Sequence, residues 1–534
     1  MSGLADFGVR LLHGLLGETK TSDFLVNRLV NAGRSRPHPW STLSSHTSWS
    51  SLTDRSYYAR FLPADSGFPS AEQIGTRRPP AAPLVQLFKA VGNQRLCPKS
   101  TCLFPAFAQY LTDGFIRTKI DSDNEPNSLR KETTTNHDID LSPLYGRIPE
   151  HTRILRLNID VPGQKGRLKS QMIGDQEYSP WLFKRDGSDF DDEYEKLDAP
   201  MALSHATPAA KLTLFATGGD RVNAAPQTAM MNTLFLREHN RLAGLIEAAH
   251  PDWHDERVFQ TARNTVIIIF MKIVVEEYIN HISSAPFAFR AHPEVAYDAK
   301  WNRPNWITIE FALLYRWHSL VPATAKWAGQ NYDARDLVLN NKPLTDGGLA
   351  AGFADMSDQP ATMLGLQNSV DFLLGAEKHA IDQARINQVA SYNDYRKAMG
   401  KKPMPDFDTL VGKSKTPEEE ARLRQLATAL KLQYGDISNV EFYVGLFAEK
   451  QEKNSPLPSL MTSMVAMDAF SHAYTNPLFS EHIWGDPTVA NETFSTIGLD
   501  VFSNSRSLTD ILKRNVADPG NRFVGMTRRD WQRE

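Results

Sequence analysis

The 534-residue chain carries a net charge of −3, with 41% hydrophobic and 23% charged residues, an ordinary balance for a globular protein. That length leaves room for a large domain and a smaller one, and the near-neutral charge gives no reason to expect nucleic acid. Two cysteines, Cys97 and Cys102, exclude a disulfide framework and a four-cysteine metal site; they read as reduced thiols, with one local bridge between them as the alternative.

The first residues show no basic stretch followed by a continuous apolar core, so no secretory signal is expected and the chain is placed in the cytoplasm. Residues 4–30 read as two short amphipathic helices. Leu11, Leu12, Leu15 and Leu16 form one apolar stripe and Phe24, Leu25, Leu29 and Val30 another, divided by Gly17 and the Thr21-Ser22-Asp23 cluster. Two readings stand side by side: helices packed on the body, or an in-plane membrane anchor helped by Arg10, Lys20, Arg28, Arg34 and Arg36. A Ser/Thr-rich connection follows to Thr53, so 1–55 is expected to be an amphipathic segment with its linker and 56–534 the main domain.

Residues 104–113 form an apolar helix with Gln109 and Asp113 one turn apart. The acidic stretch 179–197 reads as a solvated loop, with no metal-ligand spacing. The most apolar run, Val266-Ile267-Ile268-Ile269-Phe270-Met271, is cut by Lys272 and is too short to span a bilayer. At 309–322 an apolar helical face carries Tyr315 and His318 three residues apart, and Pro322 is expected to end the helix. Such a histidine can bind a haem iron through one ring nitrogen, although core packing explains most pairs of this kind.

Resemblance sharpens these readings. Tyr315-Arg316-Trp317-His318-Ser319-Leu320-Val321-Pro322 resembles the catalytic helix of cyclooxygenases and related fatty-acid dioxygenases in the animal haem peroxidase superfamily. Leu236-Arg237-Glu238-His239-Asn240-Arg241 is nearly identical to a signature of that superfamily, and Ser56-Tyr57-Tyr58-Ala59-Arg60-Phe61-Leu62-Pro63 resembles the entry to its catalytic domain. The resemblance runs in order over about residues 56–516 and implies a mainly α, peroxidase/cyclooxygenase-like domain holding one haem b. It makes His318 the proximal iron ligand, Tyr315 the radical site and Tyr278 its hydrogen-bonding neighbour. Gln109, Asp113 and Arg221 fall on the distal side, and Ile279, Ser283 and Ala469 on a substrate channel. Arg34 lies within one position of the family's carboxylate-binding arginine.

Four departures qualify the match. Asp113 stands where the family has its distal histidine, and Gly114 follows where calcium-binding members carry an aspartate, so no calcium is expected. Ala285 replaces a tyrosine at the channel mouth, and Ala469 stands at the position of the aspirin-acetylated serine. The implied activity is haem-dependent dioxygenation of an unsaturated fatty acid by O2 to a hydroperoxide. A homodimer and peripheral membrane association are implied with it. A plain haem peroxidase acting on small donors and a non-catalytic haem- or lipid-binding descendant remain the alternatives.

Overall fold

A computed structural model describes residues 3–34, 40–64, 78–119, 130–517 and 520–534. The helices that matter for the site are α1 (Gly3–Arg34), α2 (Leu103–Phe115), α3 (Pro226–Ala249), α4 (Asp255–Ile273), α5 (Ile309–Leu314), α6 (Leu374–Ile386), α7 (Phe442–Ala448), α8 (Ser459–Tyr474), α9 (Pro487–Ser503) and α10 (Leu508–Asn515). Among the described residues the strands form only two-stranded antiparallel pairs. One of them joins Leu96–Thr101 to Pro360–Thr362 beside the start of α2.

Helix α3 is the axis of the body. It is buried on nearly every side, its apolar Leu234, Phe235, Leu242, Ala243 and Ile246 and its polar Arg237, Glu238, His239 and Asn240 alike, which is the position of a central helix. It begins with Pro226 in its first turn, where a missing N–H costs nothing, and packs against α2, α4, α9 and α10. Rings knit the contacts: Tyr110 stacks on Phe235 at 5.9 Å, and Phe235 meets Phe270 edge-on at 5.1 Å.

Helix α4 starts at a His254 cap, with Asp255 and Glu256 set against the dipole in its first turn. It runs into a π-helical turn at Val274–Ile279 and ends at Asn280–Ile282. Asp255–Ile282 is long and apolar enough to cross a membrane, but its most apolar window is 83% buried inside the protein, so it serves as a core helix.

Helix α1 is broken once, at Gly17 (φ 79°, ψ 172°), a conformation that disfavours any residue with a Cβ. Thr21 and Ser22 do not cap the second half; they are buried within it, together with Val26 and Val30, where α1 packs on α8. Leu16 and Phe24 point outward. Arg34 ends the helix, and its side chain lies outside the described residues.

The expected helix to Pro322 is not formed. Helix α5 ends at Leu314, Tyr315 adopts φ −94°, ψ 15°, and a short 3-10 turn follows at His318–Leu320. The Trp317 indole N–H donates to the Leu314 carbonyl at 2.6 Å, so a side chain takes an acceptor near the helix end. Upstream, Glu310 receives the Phe61 N–H on both oxygens at 3.0 Å and the Tyr395 hydroxyl at 2.6 Å. This buried carboxylate ties the 56–63 segment to α5.

Candidate active site

Tyr315 sits at the C-terminal end of α5 with its ring stacked on Trp317 at 4.7 Å and edge-on to Phe311 at 5.0 Å. Across the site, Tyr278 lies in the π-helical turn that re-aims the end of α4. Its ring is held between Phe104 and Phe107 of α2, at 5.6 and 5.5 Å. Both tyrosines are buried and neither hydroxyl makes a well-formed hydrogen bond, yet the two act on each other. Burial raises the Tyr315 hydroxyl well above its usual range, the Tyr278 hydroxyl pulls it back, and the Asp468 carboxylate on α8 raises it again. Tyr315 is therefore a neutral phenol over the whole physiological range, with its O–H intact.

His318 opens the 3-10 turn after Trp317 and, like Arg316, is partly exposed in an otherwise buried run, 22% of its side chain being accessible. Behind it, Nδ1 lies 3.2 Å from Oε1 of Glu377 on α6, a carboxylate that is 1% exposed. Sequence reading did not single out Glu377. Arg316, the residue between Tyr315 and Trp317, has a buried Nε with no partner, while one Nη donates weakly to Thr118 Oγ1 at 3.4 Å and to Gln383 Oε1 at 3.3 Å. Arg221 donates to the Ile116 carbonyl at 3.1 Å, two residues from Thr118 on the same segment. Two guanidiniums thus converge where, among the described residues, no carboxylate forms an ion pair with either.

Gln109 is the exposed residue on an otherwise largely buried α2. Asp113, one turn on, is buried and turned toward the loop at Gly218–Gly219, where a Cβ on Gly219 would stand 2.5 Å from its Oδ2. Neither of its oxygens makes a well-formed hydrogen bond. Burial, and after it the neighbouring Asp220, push Asp113 up to about 7 against the pull of Arg221 and Arg117. An exposed aspartate would be ionised at neutral pH; this one holds its proton more tightly, because burial and the neighbouring Asp220 disfavour the charged form.

A folded-state pKa above the unfolded 3.8 favours the protonated form of Asp113, so its stabilising contribution is full below that value and is lost as pH rises through about 7. Relative to Asp113→Asn, the parent chain is expected to lose thermal stability between about pH 4 and pH 7, read as the difference between the two Tm–pH curves. Parallel curves would mean that Asp113 titrates as it does in water.

Of the channel positions, Ile279 is buried in the π-helical turn, Ser283 accepts the Ala285 N–H at 2.9 Å, and Ala469 is buried on α8. Two further histidines are buried in hydrogen-bond networks. His137 bridges the Arg55 carbonyl and the Ile307 N–H and is pushed down to about 4 by burial. His239 lies between the Tyr145 hydroxyl and the Gly166 carbonyl, while Glu238 beside it holds Arg241, Arg514 and Asn515. This is a buried network bracing α3.

Comparison with known proteins gives the site a context. The family model described as animal haem peroxidase matches residues 97–522. Prostaglandin G/H synthase 2 of Bos taurus is 29% identical over 503 residues, covering 92% of this chain and 76% of its own. Prostaglandin G/H synthase 1 of Rattus norvegicus is 30% identical over 509 residues, covering 92% and 77%. Among solved structures, peroxidase A from Dictyostelium discoideum superposes with a TM-score of 0.68 at 18% identity, covering 92% of this chain and all of its own. The fatty acid alpha-dioxygenase of Oryza sativa gives 0.68 at 17% identity, covering 94% and 90%. These structural likenesses speak to the fold alone.

Proposed function

Since the chain belongs to the animal haem peroxidase family and has its helical fold, we propose that it is a haem-dependent fatty-acid dioxygenase working through Tyr315. The observation that carries this reading is the pairing of a buried, intact Tyr315 phenol, facing Tyr278, with an accessible His318 three residues on.

The residues fit a haem. His318 has one ring nitrogen backed by Glu377 and the other free to bind iron, and Arg316 and Arg221 form a cationic pair suited to the propionates. Gln109 would lie on the opposite face. Bound there, haem supplies the oxidising power that removes an electron and a proton from Tyr315.

The steps that follow belong to the chain. Tyr278 acts on the Tyr315 hydroxyl from across the site, and the Phe104 and Phe107 rings on Tyr278 and the Phe311 and Trp317 rings on Tyr315 exclude water from the pair. The Tyr315 radical takes a hydrogen atom from a weak C–H bond of an unsaturated fatty acid. O2 adds to the carbon radical, and the resulting peroxyl radical takes the hydrogen back from Tyr315. Fatty acid and O2 thus give a hydroperoxide with the tyrosyl radical restored. Ile279, Ser283 and Ala469 line the proposed path of the acyl chain, and Arg34 is the proposed partner of its carboxylate. The outward-facing Leu16 and Phe24 on α1 support a helix that rests on a lipid surface.

The experiment is a comparison of two activities of the haem-loaded protein. Oxygen uptake with linoleate is expected to be robust, and oxidation of a small donor by hydrogen peroxide to be poor, because Asp113 is buried beside Gly219 in the place of a distal base. General acid–base help of the kind it forgoes contributes about 10²–10⁴-fold. Fast donor oxidation without oxygen uptake would replace the dioxygenase reading with that of a peroxidase.

A further inference from the structure

Glu377 is a carboxylate held from three directions. Its Oε2 accepts the Tyr443 hydroxyl at 2.5 Å, and its Oε1 accepts the Ser369 hydroxyl at 3.1 Å and faces His318 Nδ1 at 3.2 Å. The holders are themselves fixed. Ser369 is pinned by its backbone to Phe88 and Ala90, and the Tyr443 ring stacks on Phe88 at 5.6 Å. The carboxylate therefore cannot swing away. Among the described residues no lysine or arginine forms an ion pair with it. The Arg316 guanidinium acts on Glu377 only through space, without an ion pair, and a buried carboxylate so weakly compensated is expensive to maintain.

We propose that Glu377 is the positioning residue of the iron ligand: it accepts the Nδ1–H of His318, fixes the imidazole in the tautomer whose Nε2 lone pair is free, and strengthens that nitrogen as a donor to iron. The inference rests on His318 being the axial ligand. The physical basis is general, since a ligating histidine whose other N–H meets a carboxylate is held in orientation and made more basic. In this structure the Nδ1 contact has the right distance but not a straight hydrogen-bond angle. Bonds of this kind commonly tighten only when the partner is bound.

The test uses the haem-loaded protein and two substitutions with opposite expectations. In Glu377→Gln the shape is kept and the charge removed, so the Fe–His stretching frequency of the ferrous protein, read by resonance Raman, should fall. Haem affinity should fall by about 10–100-fold. In Tyr443→Phe the carboxylate loses its donor at Oε2 and has more of its charge to offer His318, so the same frequency should rise. A purely structural role for Glu377 would weaken haem retention in both variants and shift the frequency in neither, and that result overturns the proposal. Glu377→Asp, which keeps the charge, should return the frequency toward the parent value. If His318→Ala retains the axial-histidine signal, it is the assignment of the ligand that fails, and Glu377 falls with it.

Discussion

His318→Ala is expected to remove most of the Soret absorbance of the purified protein while leaving it folded. The side chain is partly exposed, and within the protein its polar contact is with Glu377. Truncation leaves that carboxylate still bound by the Ser369 and Tyr443 hydroxyls. The cost to the apoprotein is therefore that of one lost buried contact, about 1–3 kcal/mol. The loss to the haem is far larger, because its only bond to the protein chain through iron is gone. A second readout follows from linkage: a ligand that binds only the folded state raises Tm, and the haem-dependent part of that rise should vanish in the variant. Apoprotein Tm and far-UV circular dichroism close to the parent would show that packing survived. An unchanged spectrum with haem retained would place the axial ligand elsewhere.

Much of this site is legible in the sequence, and the parts that are not share a cause. The Leu236–Arg241 string and the Tyr315–Pro322 string fix the family because each combines residues that no simple apolar period would select. Helix α2 could be read from its apolarity, since a helix buried on nearly all sides needs no polar stripe, whereas α3 is marked by its signature string. The break after Leu314 could not, because apolar spacing continues through Tyr315 and Trp317. What ends α5 is a local competition, the Trp317 indole taking the Leu314 carbonyl. Glu377 was invisible for a different reason. It lies on another helix far along the chain and sits in a stretch where a glutamate reads as surface. Asp113 was seen but its state was not. Residue type makes an aspartate ionised unless it is buried, and the approach of Gly219 and Asp220 is what shows this carboxyl to be buried and shifted. Burial and long-range pairing decide charge state, and neither is written in local spacing.

Tyr315→Phe is expected to abolish oxygen uptake with linoleate while the haem spectrum stays in place. The substitution removes one oxygen atom that makes no well-formed hydrogen bond in the protein. The ring keeps its stack on Trp317 and its edge contact with Phe311, so packing and haem content should be nearly unchanged. What is lost is the phenolic O–H, for which phenylalanine offers no replacement of comparable bond strength. Tyr278 provides the internal comparison. Its hydroxyl eases the raised pKa of Tyr315 without being the group oxidised, so Tyr278→Phe should lower the rate or shorten the radical lifetime and leave measurable turnover. A freeze-quenched radical signal after peroxide treatment should be absent in Tyr315→Phe and altered in line shape in Tyr278→Phe, because the neighbouring hydroxyl influences the phenoxyl's electron distribution. Oxygen consumption near the parent rate in Tyr315→Phe would end the tyrosyl-radical reading, and the fold would then be serving a peroxidase or a haem carrier with Tyr315 as packing alone.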